Sequence, residues 1–146
     1  MATTTAALTI SSSDLVGDAL SLSTSKELHK AGTTEGLEQT TGMASLYLTA
    51  TTQIDLFPIL PATPGGQNKS AWVYVCNKST DETEYIRITI ADSIIGDLYA
   101  GDFMWMPWSQ TAQHADIELA PSVATGMHVE FTCIHEGVTY PTQADS

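Results

Sequence analysis

Apolar residues recur along this chain every second position, not every three or four. Ile86, Ile88 and Ile90 alternate with Tyr85, Arg87 and Thr89, and Val129, Phe131 and Cys133 alternate with His128, Glu130 and Thr132. Leu20 with Leu22, Leu46 with Leu48, and Ile117 with Leu119 repeat the pattern against serine, tyrosine, threonine or acid. Successive side chains of a strand point to opposite faces, so each stretch predicts a half-buried β-strand. Two stretches lack a polar side. Ala71–Cys76 is apolar on both faces, and so is Phe103–Trp108, where Phe103, Trp105 and Pro107 oppose Met104, Met106 and Trp108. A strand of that kind must be covered on both sides, by a second sheet, a terminal arm or a neighbouring subunit. Pro107 donates no backbone hydrogen bond, which puts the end of its run at a strand terminus or a sheet edge.

Between these stretches lie breakers. Pro61–Asn68 (PATPGGQN) is the clearest loop, Ser109–His114 is a second, and Asn77–Thr83 and Pro121–Gly126 read as turns. Gly96-Asp97 and Gly101-Asp102 also read as turns, because glycine tolerates positive φ and aspartate bonds back to its own backbone. Lys26–Lys30 has room for one helical turn before Gly32 and Gly36 close it off. Residues 1–13 are small and hydroxyl-rich, with Leu8 and Ile10 alternating near the end. They read as an extended N-terminal arm, flexible or held by a partner and leading into a short strand, ahead of a single domain over 14–146. Roughly eight strands with no long helix predict an all-β fold, a β-sandwich of jelly-roll type in preference to an immunoglobulin-like one.

Composition sharpens this. Threonine is the commonest residue, 21 of 146, while helix-favouring lysine, arginine and glutamate are scarce. With 5 basic and 17 acidic residues the formal charge is −12. Nucleic acid and anionic membrane are therefore unexpected partners, since both are held by basic residues. The acid is uneven: residues 1–73 carry 3 basic and 6 acidic groups (net −3), residues 74–146 carry 2 and 11 (net −9). No apolar run approaches the roughly 18 residues of a membrane helix, and MATTTAALTISSS lacks the pattern of a signal peptide, so a soluble, unexported protein is expected. On that expectation the Asn-Lys-Ser sequons at Asn68 and Asn77 carry no glycan. Cys76 and Cys133 are too few for a disulfide framework and too far apart in sequence for zinc; whether they pair is open, and Cys133 reads as a buried apolar residue.

Catalytic patterns are missing. There is no GxSxG elbow, phosphate-binding glycine loop, HExxH or dinucleotide fingerprint. His128 and Glu130 share a strand side, as a wet face produces by chance, and the partner motif of a deaminase His-x-Glu is absent. His114 with Asp116 is no stronger, and His29 and His135 have no companions. Asp97 and Asp102 lack the spacing of a calcium loop. The expectation is a non-enzyme with no cofactor and no metal. Trp72, Tyr74, Tyr99, Trp105 and Trp108 leave a sugar-stacking platform open as an alternative.

One resemblance gives the structural reading content. The hydroxyl-rich arm, then SLSTSKELHKAGTTEGL, then LYAGDFMWMPW followed by ADIELAPSVATGMHVEF, resembles the small virion proteins of tailed bacteriophages, most closely in the C-terminal half. In those proteins a leucine, a small residue and Gly-acid lead into an apolar strand ending in proline, here Leu98 to Pro107. The resemblance implies a capsid cement (decoration) protein, assembled in the host cytoplasm and placed on the capsid surface of the virion. Such a protein binds the outside of the major capsid protein, stabilises it against DNA pressure and catalyses nothing. Head–tail and fibre-adaptor proteins share the style and stay open. A homo-oligomer is expected, a dimer slightly ahead of a trimer. The candidate interface residues are Trp72, Tyr74, Phe103, Met104, Trp105, Met106 and Trp108, with Leu8 and Ile10 of the arm.

Overall fold

Every stretch in which apolar and polar residues alternate forms a strand in the structure, a computed structural model that describes residues 3–37, 39–56, 70–108 and 116–136. In chain order the strands are β1 (Thr5–Ser12), β2 (Leu20–Glu27), β3 (Gln39–Thr40), β4 (Ala44–Leu48), β5 (Ile54–Asp55) and β6 (Ala71–Asn77). They continue with β7 (Tyr85–Ile90), β8 (Ser93–Tyr99), β9 (Phe103–Pro107), β10 (Ile117–Pro121) and β11 (Met127–His135). Among the described residues there is no helix. The loops expected at Pro61–Asn68 and Ser109–His114, and the tail from Gly137, lie outside the described residues.

Strands β4 to β11 pair in a nested order. β4 lies against β11, β5 against β10, β6 against β9 and β7 against β8, all antiparallel. Two further pairings, β6 with β11 and β7 with β10, complete two sheets, β4-β11-β6-β9 and β5-β10-β7-β8. The short β3 continues the β4 edge of β11. The sheets pack face to face as a β-sandwich, and the alternating residues meet between them: Val73, Val75, Val129 and Cys133 from one side, Ile86, Ile88, Ile117 and Leu119 from the other. Each such aliphatic side chain contributes about 1.5–3 kcal/mol by leaving water. Cutting Ile88 to Ala would cost about 2–5 kcal/mol, because the cavity collapses only partly.

Several local expectations change. Lys26–Lys30 makes no helical turn: Lys26 and Glu27 finish β2, opposite Ala6 and Thr5, and His29 bridges to Gly36. Gly96-Asp97 is not a turn but the middle of β8, with Gly96 opposite Ile88. The chain reverses earlier, at Ala91-Asp92, where both residues have positive φ (53° and 64°). That is the backbone of a two-residue hairpin turn, which asparagine and glycine adopt more cheaply. A bulge in β8 leaves Ile95 without an opposite residue, between Gly96 opposite Ile88 and Ile94 opposite Thr89, while β7 keeps its alternation against β10. Thr89 stays on the outer side, opposite Glu118, and is buried there, accepting a hydrogen bond from Gln53 Nε2 at 3.1 Å. Gly101, at φ 81°, is the turn residue that the sequence suggested.

Asn77 ends β6 with no exposed surface. Its Nδ2 donates to the Leu98 carbonyl at 2.9 Å and its Oδ1 accepts from Ser79 N–H at 2.9 Å. The amide of that Asn-Lys-Ser sequon therefore joins β6 to β8 and is closed to solvent. Cys76 and Cys133 are both free and buried. They cannot pair, because Cys133 shares the inner face with its neighbour Val73 while Cys76, an odd number of positions along β6, takes the outer face.

Candidate docking face

The outer face of the β4-β11-β6-β9 sheet carries a cluster of aromatic side chains. Register sets Trp72 opposite Pro107, Tyr74 opposite Trp105 and Cys76 opposite Phe103. All six side chains share one side, and diagonal neighbours meet. The Trp72 and Trp105 rings stack with centroids 5.3 Å apart and 15° between planes, and Tyr74 leans toward Phe103 at 6.4 Å. Hydrogen bonding with Cys76, and then burial, push the Tyr74 phenol up to about 12, so it stays neutral. Among the described residues β9 is an edge strand of this sheet, paired with β6 alone. Phe103 is 59% exposed and Trp105 36%, whereas Met104 and Met106 pack inward against the core and Trp108 is buried.

Over this face stands a ribbon. β1 and β2 pair with each other along their whole length, Thr5 opposite Glu27 through Ser12 opposite Leu20, and belong to neither sheet. Its root is held at two places. Leu28 and Leu37 are buried and joined by backbone hydrogen bonds, Leu28 N–H to Thr4 O at 2.8 Å and Leu37 N–H to Leu28 O at 2.9 Å. The buried Glu136 carboxylate accepts from Ala31 N–H at 2.8 Å and from Ser70 N–H at 2.6 Å, tying the ribbon's root to the start of β6 and the end of β11. Between the root and the sheet lies a mainly apolar cleft of about 520 Å³ whose walls include Leu8, Leu28, Trp72, Tyr74, Phe103 and Trp105. That volume is in the range of ligand or side-chain sites.

The structure thus gathers Trp72, Tyr74, Phe103, Trp105 and Leu8 around one cleft. Ile10 sits farther along the ribbon, and Met104, Met106 and Trp108 belong to the inner side. Leu28, Leu37 and Glu136 escaped sequence reasoning. Glu136 follows a strand with polar outer residues, and nothing in its spacing marks a partner more than a hundred residues away.

A second cluster lies on the other sheet. Carboxylate oxygens of Asp55, Asp116 and Glu118 come within 4.8 Å of one another, because β10 pairs Glu118 opposite Asp55. Glu118 Oε1 is buried without a hydrogen-bond partner among the described residues. Burial, then the charges of Asp116, Asp55 and Asp92, push the Glu118 carboxyl above the ordinary carboxylate range. Three oxygens are fewer than the six to eight that calcium takes. Asp97 and Asp102 are otherwise engaged: Asp97 accepts two hydrogen bonds from Arg87, at 2.8 and 3.0 Å, and Asp102 accepts from Tyr99 N–H. Of the histidines, His128 packs its ring on Tyr47, His135 is buried with Nδ1 2.8 Å from the Glu136 carbonyl, and His114 lies outside the described residues.

No protein-family model matches the chain, and no curated protein matches it in sequence. Any functional reading therefore rests on the face and the ribbon themselves.

Proposed function

We propose that this chain is a capsid cement protein of a tailed-phage virion, docking on the outside of the major capsid protein and stabilising the shell without catalysis. The observation that carries the reading is the open aromatic face of β6 and β9 beside a projecting ribbon. Large aromatic side chains on a rigid sheet with a free edge are what protein interfaces concentrate at their centres. The resemblance of Leu98–Pro107 and the following strands to small phage virion proteins points the same way. So does a jelly-roll connectivity, which the nested pairing of β4 to β11 supports and which recurs in viral capsid domains. The acidic surface suits a protein outside the shell, since it repels nucleic acid.

Copy number in the particle and heat stability test the proposal. Hundreds of copies spread over the shell are expected, and particles stripped of the protein should release DNA at lower temperature than intact ones. A dozen copies or fewer at one vertex would favour a head–tail or fibre adaptor. Trp105→Ser, at an exposed edge, should abolish binding to stripped shells while leaving the fold intact; unchanged binding would remove the aromatic face from the account. The Trp72–Trp105 stack favours one second reading, a carbohydrate-binding sandwich, which binding of isolated protein to glycans, lost in the same variant, would support.

A further inference from the structure

We infer that the cleft under the β1–β2 ribbon is a strand-acceptor site: an extended segment of the shell protein adds to the open edge of β1 and lays alternate side chains against the aromatic face. This rests on the reading of that face as the shell-docking surface and names what docks there. Thr4 to Leu8, five consecutive residues, line the cleft. Consecutive strand residues point to opposite faces, so what all five share is the edge of their backbone. The bond from Leu28 N–H to Thr4 O sets the ladder of β1 and β2, with hydrogen-bonded pairs recurring at Ala6–Lys26 and Leu8–Thr24. Between them, Thr5 and Ala7 direct N–H and C=O away from β2, and among the described residues β1 has no other partner. A two-stranded ribbon is marginal alone in water, and a third strand satisfies the edge.

Size and charge identify the occupant. Thr4 to Leu8 spans about 13 Å of strand, so the cleft of about 520 Å³ has a mean cross-section of about 40 Å². One extended chain in stacked sheets occupies about 48 Å², from strands about 4.8 Å apart in layers about 10 Å apart. The cleft therefore takes a single strand about four residues long. Its inner walls include Ala6, Leu8, Trp72 and Trp105, so the segment's inward residues are apolar. Lys26 lines the same cleft opposite Ala6, whose small side chain leaves it room to reach over β1. Among the described residues Lys26 has no carboxylate partner, whereas Lys30 faces Glu35 and Arg87 holds Asp97. In a chain of net charge −12, an unpaired cation at an apolar cleft selects an acid in the segment. Glu130, opposite Cys76 on the outer face, keeps that acid away from the Phe103 end. The occupant is thus apolar at alternate positions, with one carboxylate beside Lys26. Main-chain bonds to Thr5 and Ala7 hold it, and the aromatic wall selects it.

Binding of the intact chain to stripped shells, with the edge and the charge varied, tests this. Ala7→Pro removes an outward N–H without touching the β1–β2 ladder and should weaken binding about tenfold or more. Ser23→Pro, on the outer edge of β2, should leave binding unchanged, and both variants should keep the parent's circular dichroism spectrum. Lys26→Glu should weaken binding several-fold, more at low salt than at high. Thr9→Cys, labelled with a benzophenone beside the β1 edge, should cross-link to one short stretch of the shell protein, apolar at alternate positions and carrying an acid. A synthetic peptide of that stretch should compete with shells for the intact chain. Equal binding by Ala7→Pro and the parent overturns the strand addition, as does cross-linking scattered over the shell protein or directed to a second copy of this chain. Should the proline disturb the fold, the cross-linked stretch and its peptide decide. Loss of binding with Trp105→Ser but not with Ala7→Pro leaves the cement reading standing and removes this inference; a parent chain that binds no shell removes both.

Discussion

Replacing Glu136 by alanine should loosen the junction between ribbon and sandwich, at a cost that can be worked from its contacts. The carboxylate accepts from Ala31 and Ser70 N–H groups in a partly buried site. Hydrogen bonds to a charged acceptor contribute about 1.5–3 kcal/mol each, and alanine leaves both donors without their partner. Water reaches part of the site, so the low end of the sum applies, about 3 kcal/mol. For a domain of this size that is a fall of about 10 °C in Tm. Glu136→Gln keeps one acceptor oxygen without the charge and should lose about 1–1.5 kcal/mol. Equilibrium urea unfolding gives both values, and limited proteolysis at the tip loop should cut the alanine variant faster than the parent. A loss for Glu136→Ala below about 1 kcal/mol, at unchanged m-value, would refute the idea that this carboxylate holds the root.

Three further outcomes follow from the same structure. Ala91→Asn with Asp92→Gly should stabilise the chain by about 1–2 kcal/mol, since each residue now holds a left-handed backbone that the replacements adopt more cheaply; an unchanged urea midpoint would contradict this. Glu118 has a raised carboxyl pKa, so its ionisation opposes folding, and whatever its protonated form contributes is lost as pH rises through the folded value. Glu118→Gln should therefore raise Tm at pH 7.5 and shift it little at pH 4; the reverse order would sink the reasoning. Burial pushes the Cys133 thiol up to about 12, and Cys76 is buried as well. Neither should react with a thiol reagent at pH 8 until the protein is unfolded, when both should.

What the sequence made legible was the local period. Ile86, Ile88, Ile117, Leu119 and Val129 line the core because alternation is a property of the strand itself and survives whatever partner the strand finds. Pro107 also placed β9 at an edge, from a donor it lacks. What escaped depends on pairing between distant segments. Glu118 looked like an ordinary outward acid until register set Asp55 beside it. Thr89 faces outward as the alternation says, yet it is buried where Gln53, far away in sequence, bonds to it. Gly96 carried the composition of a turn, yet pairing with β7 held it extended. The ribbon's apolar side depends on β2 as much as on β1: Leu8 and Ile10 alone suggested an arm, and only the pairing with Leu20 and Leu22 makes a stripe.

The nested pairing has a consequence for how the chain can fold as it is made. β11, the last described strand to be synthesised, lies between β4 and β6, and without it those two have no neighbour in common. The tight β7–β8 hairpin can close early, because its partners are separated by two residues. The aromatic sheet cannot, and until β11 arrives β6 and β4 expose open edges carrying Trp72, Tyr74 and Leu46. Synthesis of this protein should therefore pass through a late, adhesive stage in which the half-built sheet is available to other nascent copies. Chains halted before Met127 should accumulate as aggregates rather than as smaller folded units.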